Sequence, residues 1–165
     1  MIIQASDLTG IRIEKCAVGE SIVFCSGSFD ITHPGHVVFL EDCKKLGDVL
    51  VVAVGSDVVI EYRKPGRPIM NETARLKMID SLKPVDYCYL DTITTPENLL
   101  GGVDYAFKNL RPRVYAINDD AFDIEIRRAL CSQFKVLMRI IDKAQSEFPL
   151  MSTTAIIEKI QAVAI

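Results

Sequence analysis

The chain has 165 residues, room for one domain with a real hydrophobic core and little for a second. A net charge of −3 excludes a general nucleic-acid binder, which needs a basic face to neutralise phosphates, and no apolar run is long enough to span a bilayer. With 49% hydrophobic and 25% charged residues the composition is that of a soluble globular protein, and Met1–Asp7 lacks the basic and apolar regions of a signal peptide, so a cytoplasmic location is the default expectation.

Residues 1–20 form an N-terminal extension ahead of the first clear strand. Ser21–Cys25 is a short apolar run ending near Gly27 and reads as a buried strand. Gly35–Leu46 spaces Val37, Val38, Leu40 and Cys43 as a helix and closes on Gly47. Asp48–Gly55 is a continuous valine-rich run, the pattern of a central parallel strand covered on both faces. Asp57–Met70 is polar, basic and broken by Pro65, Gly66 and Pro68, which predicts a loop. Asn71 suits the cap of a helix to about Leu82, with Ala74, Met78 and Ile79 inward. Tyr87–Leu90 is a further strand, and Pro96 fits the first turn of a helix reaching Asn109. Then come a strand at Val114–Ile117, a helix at Phe122–Leu130, a strand at Phe134–Leu137, an irregular stretch at Ile140–Leu150 and a final helix from Ser152. This alternation predicts an α/β fold: a single Rossmann-like domain, with a mostly parallel five-stranded sheet and helices on both faces. The five cysteines include no C-x-x-C pair, and four lie among apolar neighbours, as core-filling thiols do.

The informative stretch is Gly27-Ser28-Phe29-Asp30-Ile31-Thr32-His33-Pro34-Gly35-His36, between the first strand and a helix. Small residues let the backbone approach a ligand, and a helix start offers unpaired N–H groups and a positive dipole. His33 and His36 are the only histidines in the chain. Three residues apart, they can address one anion, where imidazoles stabilise charge on a leaving phosphate. Local capping, or a transition-metal pair, remain open on spacing alone. The triad Arg63, Lys64 and Arg67 reads either as a solvated loop or as guanidinium forks and a point charge facing phosphates. Arg75 sits unfavourably in the first turns of a helix, which lends it a ligand role. Ser152, Thr153 and Thr154 are cap candidates whose hydroxyls and N–H groups also suit an anion. Asn118-Asp119-Asp120 follows a strand at the ligand edge and suits the base or ribose.

The run GSFDITHPGH resembles the G-x-F-D-x-x-H-x-G-H signature of the cytidylyltransferase-like nucleotidyltransferases. The similarity continues through Leu46-Gly47-Asp48, Gly55-Ser56-Asp57, the basic loop, Arg75, Lys83-Pro84-Val85-Asp86 and Ser152-Thr153-Thr154, covering most of residues 20–160 in order. The resemblance implies that Gly27, Ser28, Phe29 and Gly35 line the nucleotide. It implies that Asp30 shapes the loop or helps place a metal, and that His33 and His36 contact the α- and β-phosphates. Lys44, Lys64 and Arg75 are assigned to the acceptor phosphate, Arg67 to the triphosphate, Asn118, Asp119 and Asp120 to base or ribose, and Ser152–Thr154 to phosphate. No protein-held metal is implied, but Mg²⁺ bridging the phosphates is. A homodimer is also implied, for which residues 1–20 could supply an interface.

The expected reaction is in-line attack by an acceptor phosphate oxygen on the α-phosphorus of ATP or CTP, with loss of pyrophosphate. Lys64-x-Gly66-Arg67-Pro68 looks most like adenylyltransferases acting on heptose 1-phosphate. Asn118-Asp119-Asp120 leans toward glycerol-3-phosphate cytidylyltransferases, and archaeal-type FAD synthetases, which adenylylate FMN, share the opening signature. Other classes stay open: a non-catalytic nucleotide-binding module and a histidine-based metal protein.

Overall fold

The computed structural model describes residues 1–142 and 152–163. Five strands, β1 (Ile22–Gly27), β2 (Val49–Gly55), β3 (Tyr87–Asp91), β4 (Val114–Asn118) and β5 (Leu137–Ile141), form one sheet in the order β3-β2-β1-β4-β5. Every pairing is parallel. The valine run is explained by this placement. Successive side chains of a strand point to opposite faces, so a strand covered on both sides must be apolar throughout. In β2, Val49, Val51 and Ala53 enter one core while Leu50, Val52 and Val54 enter the other.

Among the described residues the α-helices are α1 (Leu8–Ala17), α2 (Pro34–Lys44), α3 (Asp57–Arg63), α4 (Glu72–Asp80), α5 (Gly101–Asn109), α6 (Ile124–Phe134) and α7 (Thr153–Val163). Helices α1, α5 and α6 close the first core through Leu8, Val103, Phe107 and Cys131. Helices α2 and α4 close the second through Phe39, Leu40, Cys43 and Ile79. The first residues are woven into this frame: Ile3 N–H donates to the Cys88 carbonyl (2.9 Å), Cys88 N–H donates to that of Met1 (3.0 Å), and Leu8 is fully buried.

Several boundaries differ from the sequence expectation. Asp57–Arg63 is helical rather than loop, because Val59 and Ile60 find apolar cover; only the stretch from Lys64 to Asn71 is irregular. In α4 the inward residues are Arg75 and Ile79, while Met78 is 41% exposed. The helix expected from Pro96 starts at Gly101. Asp91 at the end of β3 accepts N–H bonds from Ile93 and Thr94 (both 3.0 Å), which folds the chain into a turn first. Helix α6 and β5 lie a few residues beyond their expected places. The irregular stretch keeps Ile140 and Ile141 in β5, and its residues 143–150 lie outside the described ones.

The chain leaves β1 toward β2 on one side and β4 lies on the other, so the strand order reverses at β1. A crevice forms there at the carboxyl edge, the position where parallel sheets bind ligands.

The Asp91 turn carries a steric requirement. Gly102 packs so closely on the Asp91 carboxylate that a Cβ would collide with it. Gly102→Ala is expected to lower stability by about 1–3 kcal/mol, the usual range for overpacking. An unchanged urea midpoint would show that the turn relaxes freely.

Candidate active site

At the end of β1 the chain runs through Gly27–His33 into α2. A Cβ at Gly27 would lie 3.0 Å from the Phe29 ring, so a larger residue here would press on that ring and require it to shift. Phe29 and Ile31 have φ of 52° and 43°. Left-handed backbone of this kind costs of order 1–3 kcal/mol and is hardest on a β-branched residue such as Ile31. The strain persists because neighbours tie the loop down. Asp30, only 5% exposed, accepts N–H bonds from Ile69 (2.9 Å) and Met70 (3.0 Å) and one from Arg67 Nη1 (3.3 Å). Its carbonyl accepts Thr153 Oγ1 at 2.7 Å. Burial pushes the Asp30 carboxyl up, but the Met70 and Ile69 N–H bonds and the Arg67 guanidinium outweigh it and hold it below the usual carboxylate range.

His33 occupies the N-cap position of α2 with extended backbone, and Pro34 takes the first turn, where its missing N–H costs nothing. The His33 and His36 rings stack 3.9 Å apart at 28°, and Phe29 meets His36 edge-on at 5.5 Å. Both imidazoles line a cavity of ≈ 270 Å³ at the sheet edge. Gly27, Ser28, Phe29, Asp30 and Gly35 line it from the same loop. Lys64 and Arg67 close it from the basic loop, and Arg67 Nη2 reaches Thr154 Oγ1 at 3.4 Å. Ser152, Thr153 and Thr154 line it from the start of α7, where Ser152 Oγ accepts the Ala155 N–H at 3.1 Å. Asn118 at the end of β4 and Asp120 in the turn after it complete the lining; the Asn118 Oδ1 is buried with no hydrogen-bond partner among the described residues.

Three expected site residues lie elsewhere. Lys44 sits at the far end of α2, where its Nζ bonds the Asp86 carboxylate and the Asp48 carbonyl, both at 2.5 Å. Asp48 and Asp86 precede β2 and β3, so Lys44 belongs to the amino edge, away from the cavity. Arg75 is fully buried and donates to the carbonyls of Met70 (2.9 Å) and Ser28 (2.6 Å) and to Asp57 (2.7 Å). It braces the loops rather than facing the cavity. Asp119 is exposed and does not line the cavity, while its neighbour Asp120 does.

Sequence reasoning missed Ser26, Val38, Phe39, Asp42, Ile60, Ile141 and Asp142, which also line the cavity. The α2 members were legible: residues 35, 38, 39 and 42 share one helical face. Ile60 was hidden because its helix read as loop. The described residues contain no helix long and apolar enough to cross a membrane.

Residues 24–159 match the cytidylyltransferase-like family. The chain belongs to that family of nucleotidyltransferases. This nucleotidyltransferase is 37% identical over 147 residues to an FAD synthase of Ferroglobus placidus, covering 86% of this chain and 89% of that one. It is 36% identical to the bifunctional protein HldE of Pseudomonas fluorescens, where the match takes in 88% of this chain but only 29% of the relative. A lipopolysaccharide core biosynthesis protein from Thermoplasma volcanium shares 31% identity at a TM-score of 0.59, over 75% of this chain and 96% of that one. A pantoate–β-alanine ligase from Francisella tularensis, at 13% identity and a TM-score of 0.61 over 100% of this chain and 78% of that one, shares the fold alone.

The Asp30 clasp sets a pH dependence. Its carboxyl is held below its unfolded value, so its contribution is complete above the ordinary carboxylate pKa of about 3.9 and lost as pH falls through the lowered one. Between about pH 6 and about pH 3 the nucleotidyltransferase should therefore lose stability more steeply than its Asp30→Asn variant. Parallel urea titrations with equal slopes would remove the clasp from the account.

Proposed function

We propose that this nucleotidyltransferase transfers AMP from ATP to the phosphate of a small-molecule acceptor and releases pyrophosphate. One observation carries the reading: the His33–His36 stack at the start of α2 and the Arg67–Thr154 pair line one cavity. That arrangement gathers donors around a single polyanion. An acceptor phosphate is anionic near neutral pH, so no general base is required. The residues align it with the α-phosphorus and neutralise charge as pyrophosphate departs. In this reading His33, Gly35 and His36 hold the phosphates from the helix start, while Lys64, Arg67 and Ser152–Thr154 hold them from the basic loop and the start of α7.

Mg²⁺ enters the proposal on the triphosphate. Among the described residues no three His, Cys, Asp or Glu side chains are grouped to hold an ion. Mg²⁺ commonly binds through substrate phosphates with one or two carboxylates, and Asp42, Asp120 and Asp142 on the cavity wall suit that role. When bound, the ion neutralises phosphate charge.

For the acceptor we favour FMN. FAD is FMN joined to AMP through a pyrophosphate bridge, and the FAD synthase match runs along most of both chains. Phe29, Val38, Phe39 and Ile60 give the cavity apolar surface for flat rings. A sugar 1-phosphate is the second reading, supported by Lys64-x-Gly66-Arg67-Pro68 and by the Thermoplasma volcanium and HldE relatives.

The test is pyrophosphate release with ATP or CTP against FMN, heptose 1-phosphate and glycerol 3-phosphate. ATP with FMN is expected to give the highest rate. ATP binding without any release would make the chain a binding module. His36→Ala is expected to reduce turnover by roughly 10²–10³ with unchanged thermal unfolding. Full activity in that folded variant would end the assignment.

A further inference from the structure

Tyr115 on β4 and Ser26 on β1 meet at the carboxyl edge, with Ser26 Oγ 3.2 Å from Tyr115 Oη. Arg127 on α6 donates through Nη1 to the same Tyr115 oxygen. This guanidinium is 4% exposed; its Nε donates to the Phe122 carbonyl at 2.8 Å, and its face lies 4.3 Å from the Phe122 ring centroid. Among the described residues no carboxylate pairs with it.

Proton bookkeeping gives this chain a direction. A guanidinium only donates, so Tyr115 Oη accepts from Arg127 and keeps one proton to give. Tyr115 is fully buried, and Ser26 Oγ is the remaining partner within reach. Pointing the phenolic proton elsewhere would leave a buried donor unpaired, which is costly. Ser26 Oγ therefore accepts from Tyr115. The serine proton is left over, and Ser26 lines the cavity. Its hydroxyl has no other hydrogen bond among the described residues.

We propose that Ser26 is a nucleotide-binding residue whose hydroxyl proton is directed into the cavity by Arg127 acting through Tyr115. The proposal rests on the nucleotidyl-transfer reading above and names a specificity contact for it. The ligand group must accept a hydrogen bond. Asn118, at the end of the neighbouring strand, adds a buried acceptor oxygen with no partner among the described residues. Phosphate oxygens could meet the serine but would leave that amide oxygen unmatched. A nucleoside group that both accepts and donates, a ribose hydroxyl or a base edge, matches both. Ser26 is thus assigned to the nucleoside, Arg127 and Tyr115 to its positioning.

Titration calorimetry with ATP and with tripolyphosphate tests this. Ser26→Ala is expected to weaken ATP by roughly five- to tenfold and leave tripolyphosphate binding unchanged; its unfolding temperature falls by several degrees because the buried Tyr115 hydroxyl loses its acceptor, and binding is measured below that transition. Ser26→Thr, which retains the hydroxyl, should bind ATP within about twofold of the parent. Tyr115→Phe should weaken ATP when Ser26 is present and have no further effect in the Ser26→Ala background. The proposal is overturned if Ser26→Ala binds ATP as the parent does, if it loses tripolyphosphate equally, or if the two substitutions add. A parent that binds no nucleotide overturns both this proposal and the reaction on which it rests.

Discussion

The site depends on the carboxylate of Asp30. Two residues of the loop between β1 and α2 hold left-handed backbone that their side chains disfavour. An isolated loop would relax out of that shape. Here Asp30 receives two backbone N–H groups and a guanidinium from the segment before α4, and its carbonyl receives a hydroxyl from α7. One residue therefore joins three stretches far apart in sequence: the histidine loop, the basic loop and the serine-threonine start of the last helix. Those stretches are the ones that surround the cavity. Arg75 adds a second brace by linking the Ser28 carbonyl, the Met70 carbonyl and Asp57 from inside the protein. A buried charge costs several kcal/mol unless its bonds are satisfied, and both groups have theirs.

The proposed reaction divides labour along the cavity. In that reading the phosphate end is built from a helix start, stacked imidazoles and the Arg67 side chain, none of which discriminates between nucleosides. The crest between β1 and β4 carries uncharged groups with directional hydrogen bonds, Ser26 and Asn118. Charge gives affinity for any triphosphate, whereas directional groups choose among nucleosides, since a mismatched donor or acceptor is left unpaired.

Much of this was legible in the amino-acid order. The uninterrupted apolar run from Val49 to Val54 announced a strand covered on both faces, and GSFDITHPGH announced a small-residue turn into a helix with histidines at its start. What could not be read was direction. Lys44 and Arg75 are cations near signature residues, yet one lies at the amino edge and the other is buried as a brace. Helical phase alone does not reveal which end of a helix faces the ligand when the tertiary crossing is unknown. Ser26 was invisible for a different reason: its role depends on Tyr115 and Arg127, 89 and 101 residues further on, and no local pattern links them. Helix α3 was hidden by the prolines and glycine that follow it.

The central claim is that bond cleavage occurs between the α- and β-phosphorus. Incubation of the protein and FMN with ATP labelled at either the α- or the γ-phosphorus separates the possibilities. The account requires α-label in the flavin product and γ-label in pyrophosphate. γ-Label on the acceptor or in orthophosphate, with the α-label left in ADP, would mean a kinase or a hydrolase and contradict it.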